Sequence, residues 1–281
     1  MILQINNVLF YFAYLLNLFG ILLIIIFISE YLEQEIIDIW NEEIPYDNGE
    51  KANLTIFLPN TNIATGRAIV IFPGGGYSIL CTEHEGTSWA PFFNQQGIAI
   101  FILSYRIPKG NHLVPISDAE EAIRIVRRNA DKWNIDKNQV GIMGFSAGGH
   151  LASTIATHSK GDAKPNFHIL FYPVITMDPS FTHLGSLENF LGKEPNQELI
   201  DEYSNELHIT NETPRVFITL SNDDDVVQPK NGVLYYKECN LHDVSAYLHI
   251  YPTGGHGWGY SSIFDYHLEV LQELKNWLKN F

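Results

Sequence analysis

The segment Gly144-Phe145-Ser146-Ala147-Gly148 places a serine between two glycines, where an apolar run meets a helix-like run. The apolar run is Val140–Met143, and the helix-like run continues after Gly148. A strand, a sharp turn and a helix would expose the Ser146 hydroxyl, because glycines permit close backbone approach and the new helix has free N–H groups. The pattern predicts an acyl-transfer nucleophile, although by itself it also fits an ordinary turn.

A serine hydroxyl becomes a good nucleophile only beside a general base that a third group orients. The acidic triplet Asp223–Asp225 follows the apolar run Val216–Leu220, and His256 lies in a glycine-rich segment after Ala246–Tyr251. Each segment alone fits a solvated turn or an ordinary loop histidine. Loops at strand ends commonly hold catalytic side chains, and serine, acid and histidine follow one another in the order of one class of hydrolase. We therefore predict a triad of Ser146, an acid from the triplet, and His256.

Three consecutive glycines follow the apolar run Ile69–Phe72, well before the serine. Attack on an ester creates an oxyanion, which requires preorganised hydrogen-bond donors. The segment lacks the Gly-x-x-x-x-Gly-Lys-Ser/Thr and Gly-x-Gly-x-x-Gly patterns of phosphate-binding loops. We predict that the N–H groups of Gly75, Gly76 and Ala147 form an oxyanion hole.

Strand-like and helix-like runs alternate from Leu54 onward, which predicts a mostly parallel sheet with helices on both faces. Residues 178–213 interrupt this alternation, and they either cover the site or pack at the periphery. The expected strands are Leu54–Phe57, Ala68–Phe72, Ile98–Leu103, Val140–Met143, His168–Tyr172, Val216–Leu220 and Ala246–Tyr251. The expected helices are Thr87–Gln96, Ile116–Trp133, Ala147–His158, Pro229–Cys239 and Ser261–Lys279, with shorter pieces at Leu187–Leu191 and Glu198–Leu207.

The composition excludes several classes of partner. The formal net charge of −15 argues against binding nucleic acid and against electrostatic adsorption to anionic lipid. Cys81 and Cys239 show neither a disulfide framework nor metal-ligand spacing; we expect buried thiols, with a disulfide between them as the alternative. No metal and no organic cofactor is expected.

The segment Val8–Ile28 is almost continuously apolar, and about 20 such residues span a bilayer as a helix. It has no basic residue before Lys51 and no Ala-x-Ala pattern near its end, unlike an ordinary secretory signal. An uncleaved anchor, an atypical signal peptide and translation upstream of the true start all remain open, and a buried core helix is a further alternative. We expect residues 1–29 to be a signal or membrane anchor, 30–49 a linker and 50–281 the catalytic domain. The protein would be exported or membrane-anchored, facing the periplasm or the extracellular space.

A wider set of motifs connects the chain to a known family. Besides the three glycines, the serine elbow and the histidine segment, the set comprises Glu85-Gly86, Leu103–Pro108, Ala130–Ile135 and Asn231. Over residues 50–281 the chain resembles the α/β-hydrolase esterases, in particular bacterial acetylxylan-esterase-like enzymes. The resemblance implies an α/β-hydrolase fold and a serine esterase that removes acetyl groups from xylan or small acetylated sugars.

The resemblance also indicates which acid completes the triad. Asp224 lies three residues before Val227, which matches the Asp-x-x-Val spacing of the family. The chain departs from the family at Leu220, where histidine is common, and at Gln228, where proline is common. Both positions flank the acidic loop, so they affect its shape and not the triad itself.

Three aromatic residues near these motifs, Tyr77, His183 and Trp258, are candidates for lining an acyl or sugar pocket. The expected partner is a small-molecule or polysaccharide ester. A peptidase or amidase on the same scaffold is one alternative. A membrane-anchored binding protein without catalytic activity is another.

Overall fold

The computed structural model describes residues 35–41 and 43–281. The predicted signal or anchor, residues 1–29, lies outside the described residues. Within the described part of the chain, no helix is both long enough and apolar enough to cross a membrane.

An eight-stranded sheet organises the described residues, with the strand order β1-β2-β4-β3-β5-β6-β7-β8. Every residue of β3, β5 and β6 is buried, because helices cover both faces of the central strands. The strands are β1 (Glu35–Asp38), β2 (Asn53–Phe57), β3 (Ala68–Phe72), β4 (Ala99–Ser104), β5 (Val140–Phe145), β6 (Phe167–Phe171), β7 (Arg215–Ser221) and β8 (Ala246–Tyr251).

Strand direction determines where the loops meet. β2 pairs antiparallel with β4, whereas β4, β3, β5, β6, β7 and β8 pair successively in parallel. The carboxyl ends of these parallel strands therefore lie at one edge of the sheet. The loops after β3, β5, β7 and β8, which carry the predicted catalytic motifs, converge at that edge.

Helices cover the sheet and connect its strands. The helix that follows β5 packs against β5, β6 and the helix before β5. The helices are α1 (Ala90–Asn94), α2 (Leu113–Arg128), α3 (Ser146–His158), α4 (Leu184–Leu191), α5 (Gln197–Glu202), α6 (Lys230–Leu241) and α7 (His267–Leu278), with 3-10 turns at Thr87–Trp89, Gly161–Ala163 and Asn205–His208.

The sequence located the expected strands within two residues, whereas several helices need correction. The helix expected over Ile116–Trp133 ends at Arg128, and the piece expected over Glu198–Leu207 divides into α5 and a 3-10 turn. The single helix expected over Thr87–Gln96 is a 3-10 turn followed by the short helix α1, which begins beside Pro91 because proline lacks an N–H and fits only the first turn. The last helix begins at His267, six residues later than expected. The aromatic ring of Phe264, in the intervening segment, instead stacks on Trp258.

The prediction of a linker over residues 30–49 is wrong from residue 35 onward. Glu35–Asp38 forms the edge strand β1, and Ile39 is 4% exposed. The indole N–H of Trp40 donates a hydrogen bond to Oδ1 of Asp118 at 2.7 Å. The acidic composition suggested a solvated segment, but its interspersed apolar residues pack against the domain, which therefore begins well before residue 50.

The interruption at residues 178–213 contains α4, α5 and the 3-10 turn at Asn205–His208. The side-chain amide of Asn189 on α4 donates a hydrogen bond to the carbonyl oxygen of Gly76 at 2.8 Å. Of the two alternatives for this segment, contact with the site is the one that the structure supports.

Candidate active site

Ser146 lies at the junction of β5 and α3, with a left-handed backbone conformation at φ +51°. The flanking residues must be glycines, because a Cβ at either position would be too close to neighbouring backbone atoms. A Cβ on Gly144 would lie 2.1 Å from the carbonyl oxygen of Gly148, and one on Gly148 would lie 2.1 Å from that of Phe72. The sequence therefore folds into a strained turn that only glycine neighbours allow.

The three predicted triad residues form one hydrogen-bonded chain. The Ser146 hydroxyl lies 2.8 Å from Nε2 of His256, and Nδ1 of His256 lies 2.7 Å from Oδ2 of Asp224. The other Asp224 oxygen accepts the backbone N–H groups of Val226 and Val227 at 3.0 and 2.9 Å. Ser146 and Asp224 are 6% and 5% exposed, so the carboxylate is shielded from water and held in a fixed orientation.

The neighbours of Asp224 in the acidic triplet have different surroundings. The carboxylate of Asp223 accepts the backbone N–H groups of Gly254 and Gly255 at 3.3 and 2.8 Å, which anchors the loop that carries His256. Asp225 is exposed. The structure thus brings Asp224 to the histidine, as the Asp-x-x-Val spacing predicts.

The loop after β3, residues 73–77 and here called the oxyanion loop, lies against the nucleophile. A Cβ on Gly74 would lie 2.9 Å from Cβ of Ser146 and 2.7 Å from the carbonyl oxygen of Phe145. A side chain with a Cβ cannot tolerate these distances. Only glycine at position 74 therefore lets the oxyanion loop lie this close to Ser146.

The predicted oxyanion donors lie on this loop and at the start of α3. Gly75 and Gly76 have φ values of +125° and +63°, and within the described residues their N–H groups donate no hydrogen bond. Ala147 is in the first turn of α3, where N–H groups have no acceptor within the helix. The arrangement can supply several backbone donors to a negative charge that forms beside Ser146.

Tyr77 is packed in the core of the described domain, which argues against its predicted role in lining a pocket. Its side chain is completely buried, its ring stacks on Phe190 at 4.7 Å, and its hydroxyl lies 2.9 Å from Nδ1 of His150. Nε2 of His150 in turn donates to the carbonyl oxygen of Tyr203 at 2.8 Å. A buried phenol needs a hydrogen-bond partner, and this one finds it in the core.

His183 lies beside the oxyanion loop. Its Cε1 atom is 3.5 Å from the position that a Cβ on Gly76 would occupy. Nδ1 accepts the backbone N–H of Ser186 at 3.2 Å, so the neutral ring carries its proton on Nε2. Burial lowers the pKa of His183, and the charge of His256 adds to the effect. The neutral form therefore presents an N–H donor, and its contact with substrate stays a prediction.

Trp258 forms one wall of a cleft of about 410 Å³ that adjoins the triad histidine. Its indole N–H donates to Oγ of Ser221 at 3.1 Å, and its ring stacks on Phe264, which fixes the wall. The cleft is lined by His84, His256, Trp258, Ser261, Ile263 and Asp265, among others.

Both cysteines are free thiols, so the alternative of a disulfide between Cys81 and Cys239 is wrong. Cys81, His84 and Glu85 place potential metal-ligand atoms within 4.8 Å of one another. Burial raises the pKa of the Cys81 thiol, which disfavours the thiolate that metals bind. Both oxygens of Glu85 accept hydrogen bonds from protein donors. These observations favour a structural role for the cluster.

Two residues around the site, Glu85 and His150, were not predicted as functional. Both are buried polar side chains that connect loops distant in sequence. In the sequence, Glu85 belongs to a dipeptide of the family resemblance, and His150 follows the elbow without a recognisable partner nearby. A single sequence carries no signal for such pairings.

Known proteins similar to this chain share its fold and much of its sequence. The BD-FAE family model matches residues 54–238, more than half of the chain. A solved structure of an acetyl ester-xyloside bifunctional hydrolase from Caldicellulosiruptor lactoaceticus superposes with a TM-score of 0.82 at 33% identity, covering 88% of this chain and 96% of that chain. The predicted α/β-hydrolase fold is thereby confirmed.

Two curated relatives are longer proteins. An acetylxylan esterase of Xylanibacter ruminicola is 48% identical over 238 residues, which cover 83% of this chain and 49% of that protein. Endo-1,4-beta-xylanase B of Butyrivibrio fibrisolvens is 34% identical over 240 residues, which cover 78% of this chain and 37% of that protein. The chain thus spans half or less of the length of these relatives. With the family model and the fold in agreement, the chain belongs to the BD-FAE family of α/β-hydrolase esterases.

Proposed function

We propose that this chain is a serine carboxylic-ester hydrolase that removes acetyl groups from xylan or other acetylated carbohydrates. One observation carries the proposal: Asp224, His256 and Ser146 form a continuous hydrogen-bonded chain beside the N–H groups of Gly75 and Gly76, which donate to no acceptor among the described residues. Nucleophile, base, orienting acid and oxyanion donors are the complete set of groups that acyl transfer requires.

Acylation follows from the hydrogen-bond directions. Because Nδ1–H of His256 donates to Asp224, Nε2 is the unprotonated nitrogen and accepts the Ser146 hydroxyl. Nε2 takes the proton as Oγ attacks the ester carbon, and the N–H groups of Gly75, Gly76 and Ala147 stabilise the oxyanion. The imidazolium then protonates the alcohol oxygen, the carbon–oxygen bond breaks, and an acetyl-enzyme remains.

Deacylation repeats these steps with water. His256 removes a proton from the water, whose oxygen attacks the acetyl-enzyme, and the same N–H groups hold the second oxyanion. The proton returns to Oγ of Ser146 and acetate leaves. Asp224 keeps the tautomer of His256 fixed and stabilises its positive charge in both halves of the reaction.

The cleft beside His256 supports a carbohydrate as the alcohol part of the substrate. The leaving oxygen must face Nε2 of His256 to receive its proton, so the alcohol occupies the histidine side of the site. Polar side chains that line the cleft there, His84, Ser261 and Asp265, could bond sugar hydroxyls. The names of the relatives, an acetylxylan esterase and an acetyl ester-xyloside hydrolase, agree with this assignment.

The test is acetate release from acetylated xylan, acetylated xylose and p-nitrophenyl acetate by the wild-type protein and by Ser146→Ala. We expect Ser146→Ala to lower kcat about 10⁴-fold or more, with unchanged folding by circular dichroism. A feruloyl ester and a peptide anilide test the acyl group and the amidase alternative. Activity of a folded Ser146→Ala protein near that of the wild type would refute the mechanism.

We propose further that residues 1–29 target the chain for export or anchor it in a membrane. The support is the apolar run Val8–Ile28, whose length matches a bilayer core of about 30 Å at 1.5 Å per residue. Acetylated plant polysaccharide is too large to enter a cell, so an enzyme that acts on the polymer would need to be outside.

A further inference from the structure

Glu85 is a buried carboxylate outside the triad, only 2% exposed. Burial raises its pKa, whereas hydrogen bonds from Tyr172 and Gly74 lower it. A buried carboxylate is costly unless donors satisfy its oxygens. The role of Glu85 in the site therefore depends on which groups donate hydrogen bonds to its carboxylate.

The donors belong to loops that carry the catalytic groups. One oxygen, Oε2, accepts the N–H of Gly74 in the oxyanion loop at 2.8 Å. The other, Oε1, accepts the hydroxyl of Tyr172, just after β6, at 2.8 Å. The same Tyr172 hydroxyl accepts the N–H of Gly259 at 2.9 Å, on the loop of residues 254–259, here called the histidine loop. One carboxylate thus connects the oxyanion loop to the histidine loop.

Each end of this connection touches a reacting group. Gly74 lies against Ser146, and the bond to its N–H fixes the peptide that precedes the Gly75 donor. The ring of Tyr172 packs edge-on against His256 at a centroid distance of 4.8 Å. Tyr172 also has a left-handed φ of +35°, a strained conformation that its surroundings must hold in place.

We propose that Glu85 is a positioning residue for the reaction: its carboxylate sets the oxyanion loop and the histidine loop in their relative places. The proposal rests on the esterase function proposed above. Donors must be in place before charge develops, because stabilisation by preorganised groups is lost when the groups are free to shift. Glu85 touches neither substrate nor reacting atoms, and it acts through Gly74 and Tyr172.

The charge and one of the two acceptor oxygens of Glu85 can be removed with almost no change in side-chain volume. Glu85→Gln leaves one oxygen acceptor and replaces the other oxygen with an N–H₂ donor, so it cannot accept from both Gly74 and Tyr172. We expect kcat for p-nitrophenyl acetate to fall about 10²-fold, the scale of one lost oxyanion donor, with KM changed less than about threefold.

A second readout separates positioning from general destabilisation. A boronic acid forms a tetrahedral anion on Ser146 and should lose affinity by the same factor as kcat, while KM stays near wild type. The matched control is Glu206→Gln, the same change at a partly buried glutamate on the 3-10 turn Asn205–His208, which lies on neither loop. This control should keep wild-type kcat and boronate affinity.

Tyr172→Phe tests the hydrogen-bonded connection between the two loops by removing a single hydroxyl. It remains a test of the proposal if Glu85→Gln does not fold. It should lower kcat and boronate affinity together. The double variant Glu85→Gln/Tyr172→Phe should lose less than the product of the two single losses, because both changes break the same connection. Wild-type kcat and boronate affinity in either folded single variant would overturn the proposal. A wild-type protein without esterase activity would instead refute the proposed function.

Discussion

At Ser146 the backbone has a left-handed conformation that costs a residue with a Cβ about 1–2 kcal/mol. β5 and α3 hold this conformation from both sides. Gly144 lets these two elements approach, and Gly148 lets α3 approach the end of β3 at Phe72. The conformation keeps the hydroxyl within reach of His256, at 2.8 Å. The chemistry of this one residue therefore depends on glycines that do not touch the substrate.

The first prediction separates the adjacent acids of the triplet. Asp224→Asn should lower kcat about 10⁴-fold, because an amide facing Nδ1 favours the wrong histidine tautomer. Asp223→Asn should cost about tenfold or less, because its amide oxygen still accepts one of the two N–H groups of the histidine loop. Steady-state kinetics with p-nitrophenyl acetate measures both effects.

Asp225→Asn is the control for this comparison, since Asp225 is exposed and should leave kcat unchanged. A crippling Asp223→Asn combined with a mild Asp224→Asn would show that the acid lies one residue earlier.

Among the elements, α3 connects the nucleophile to two other parts of the site. His150 on this helix bonds Tyr77 of the oxyanion loop through one ring nitrogen and the carbonyl oxygen of Tyr203, just after α5, through the other. The buried His168 on β6 bonds the hydroxyl of Tyr235 on α6 at 2.9 Å. Both imidazoles join elements of the core, and both would be expensive to charge.

Because these two histidines are buried, we predict that the stability of the fold decreases at acidic pH. Burial lowers the pKa of His150 to about 4 and that of His168 to about 3. An unfolded histidine titrates near pH 6.5, so below that pH the unfolded chain binds protons that the folded chain does not. Above about pH 6.5 the two histidines do not reduce the free energy of unfolding. As the pH falls toward 4, the free energy of unfolding decreases by about 1.4 kcal/mol per pH unit for each histidine.

His168→Gln should therefore reduce the slope of unfolding free energy against pH between pH 6.5 and 4.5, measured by urea denaturation at each pH. The exposed His242→Gln is the control and should keep the wild-type slope. Equal slopes for His168→Gln and the wild type would mean that His168 is not held neutral by the fold.

For the whole molecule, buried contacts made by residues before position 50 decide where the folded domain begins. Arg106 and Asp118 form a completely buried ion pair at 2.6 Å, and Trp40 donates to the same carboxylate. A guanidinium N–H of Arg106 also donates to the carbonyl oxygen of Pro45 at 3.0 Å. The chain before residue 50 thus covers a buried charge pair, which is strongly destabilised if it loses its partners.

Two truncations test where the folded domain begins. A chain that begins at Glu30 should fold and hydrolyse an acetyl ester like the full chain, because the described contacts of residues 35–49 remain. A chain that begins at Lys51 should lose about 2 kcal/mol or more of unfolding free energy, because it exposes the site of Ile39 and removes the Trp40 donor. Urea denaturation and an acetyl-ester assay measure these outcomes.

Cell fractionation of the full chain and the Glu30 chain tests the targeting proposal. The full chain should be found in membranes or outside the cell, whereas the Glu30 chain should remain in the cytosol. An active cytosolic full chain together with an unfolded Glu30 chain would assign residues 1–29 to the fold.

The local features were predictable because contiguous residues encode them. Apolar runs bounded by glycine, proline and polar residues located β3 and β8 at their observed bounds and the other central strands within two residues. The elbow follows in part from Gly144, whose missing Cβ removes a clash with Gly148 within the same five residues of chain. The order of serine, acid and histidine, with the family resemblance, predicted Ser146, Asp224 and His256, which the structure brings together.

The features that only the tertiary structure decided are contacts between residues far apart in sequence. Tyr77 is buried because His150, 73 positions later, offers its phenol a partner. Glu85 meets Tyr172 across 87 positions, and Trp40 meets Asp118 across 78, which turns an apparent linker into part of the sheet domain. Sequence patterns report local preferences and burial, but the pairing of one buried polar group with another is set by how the strands and helices pack.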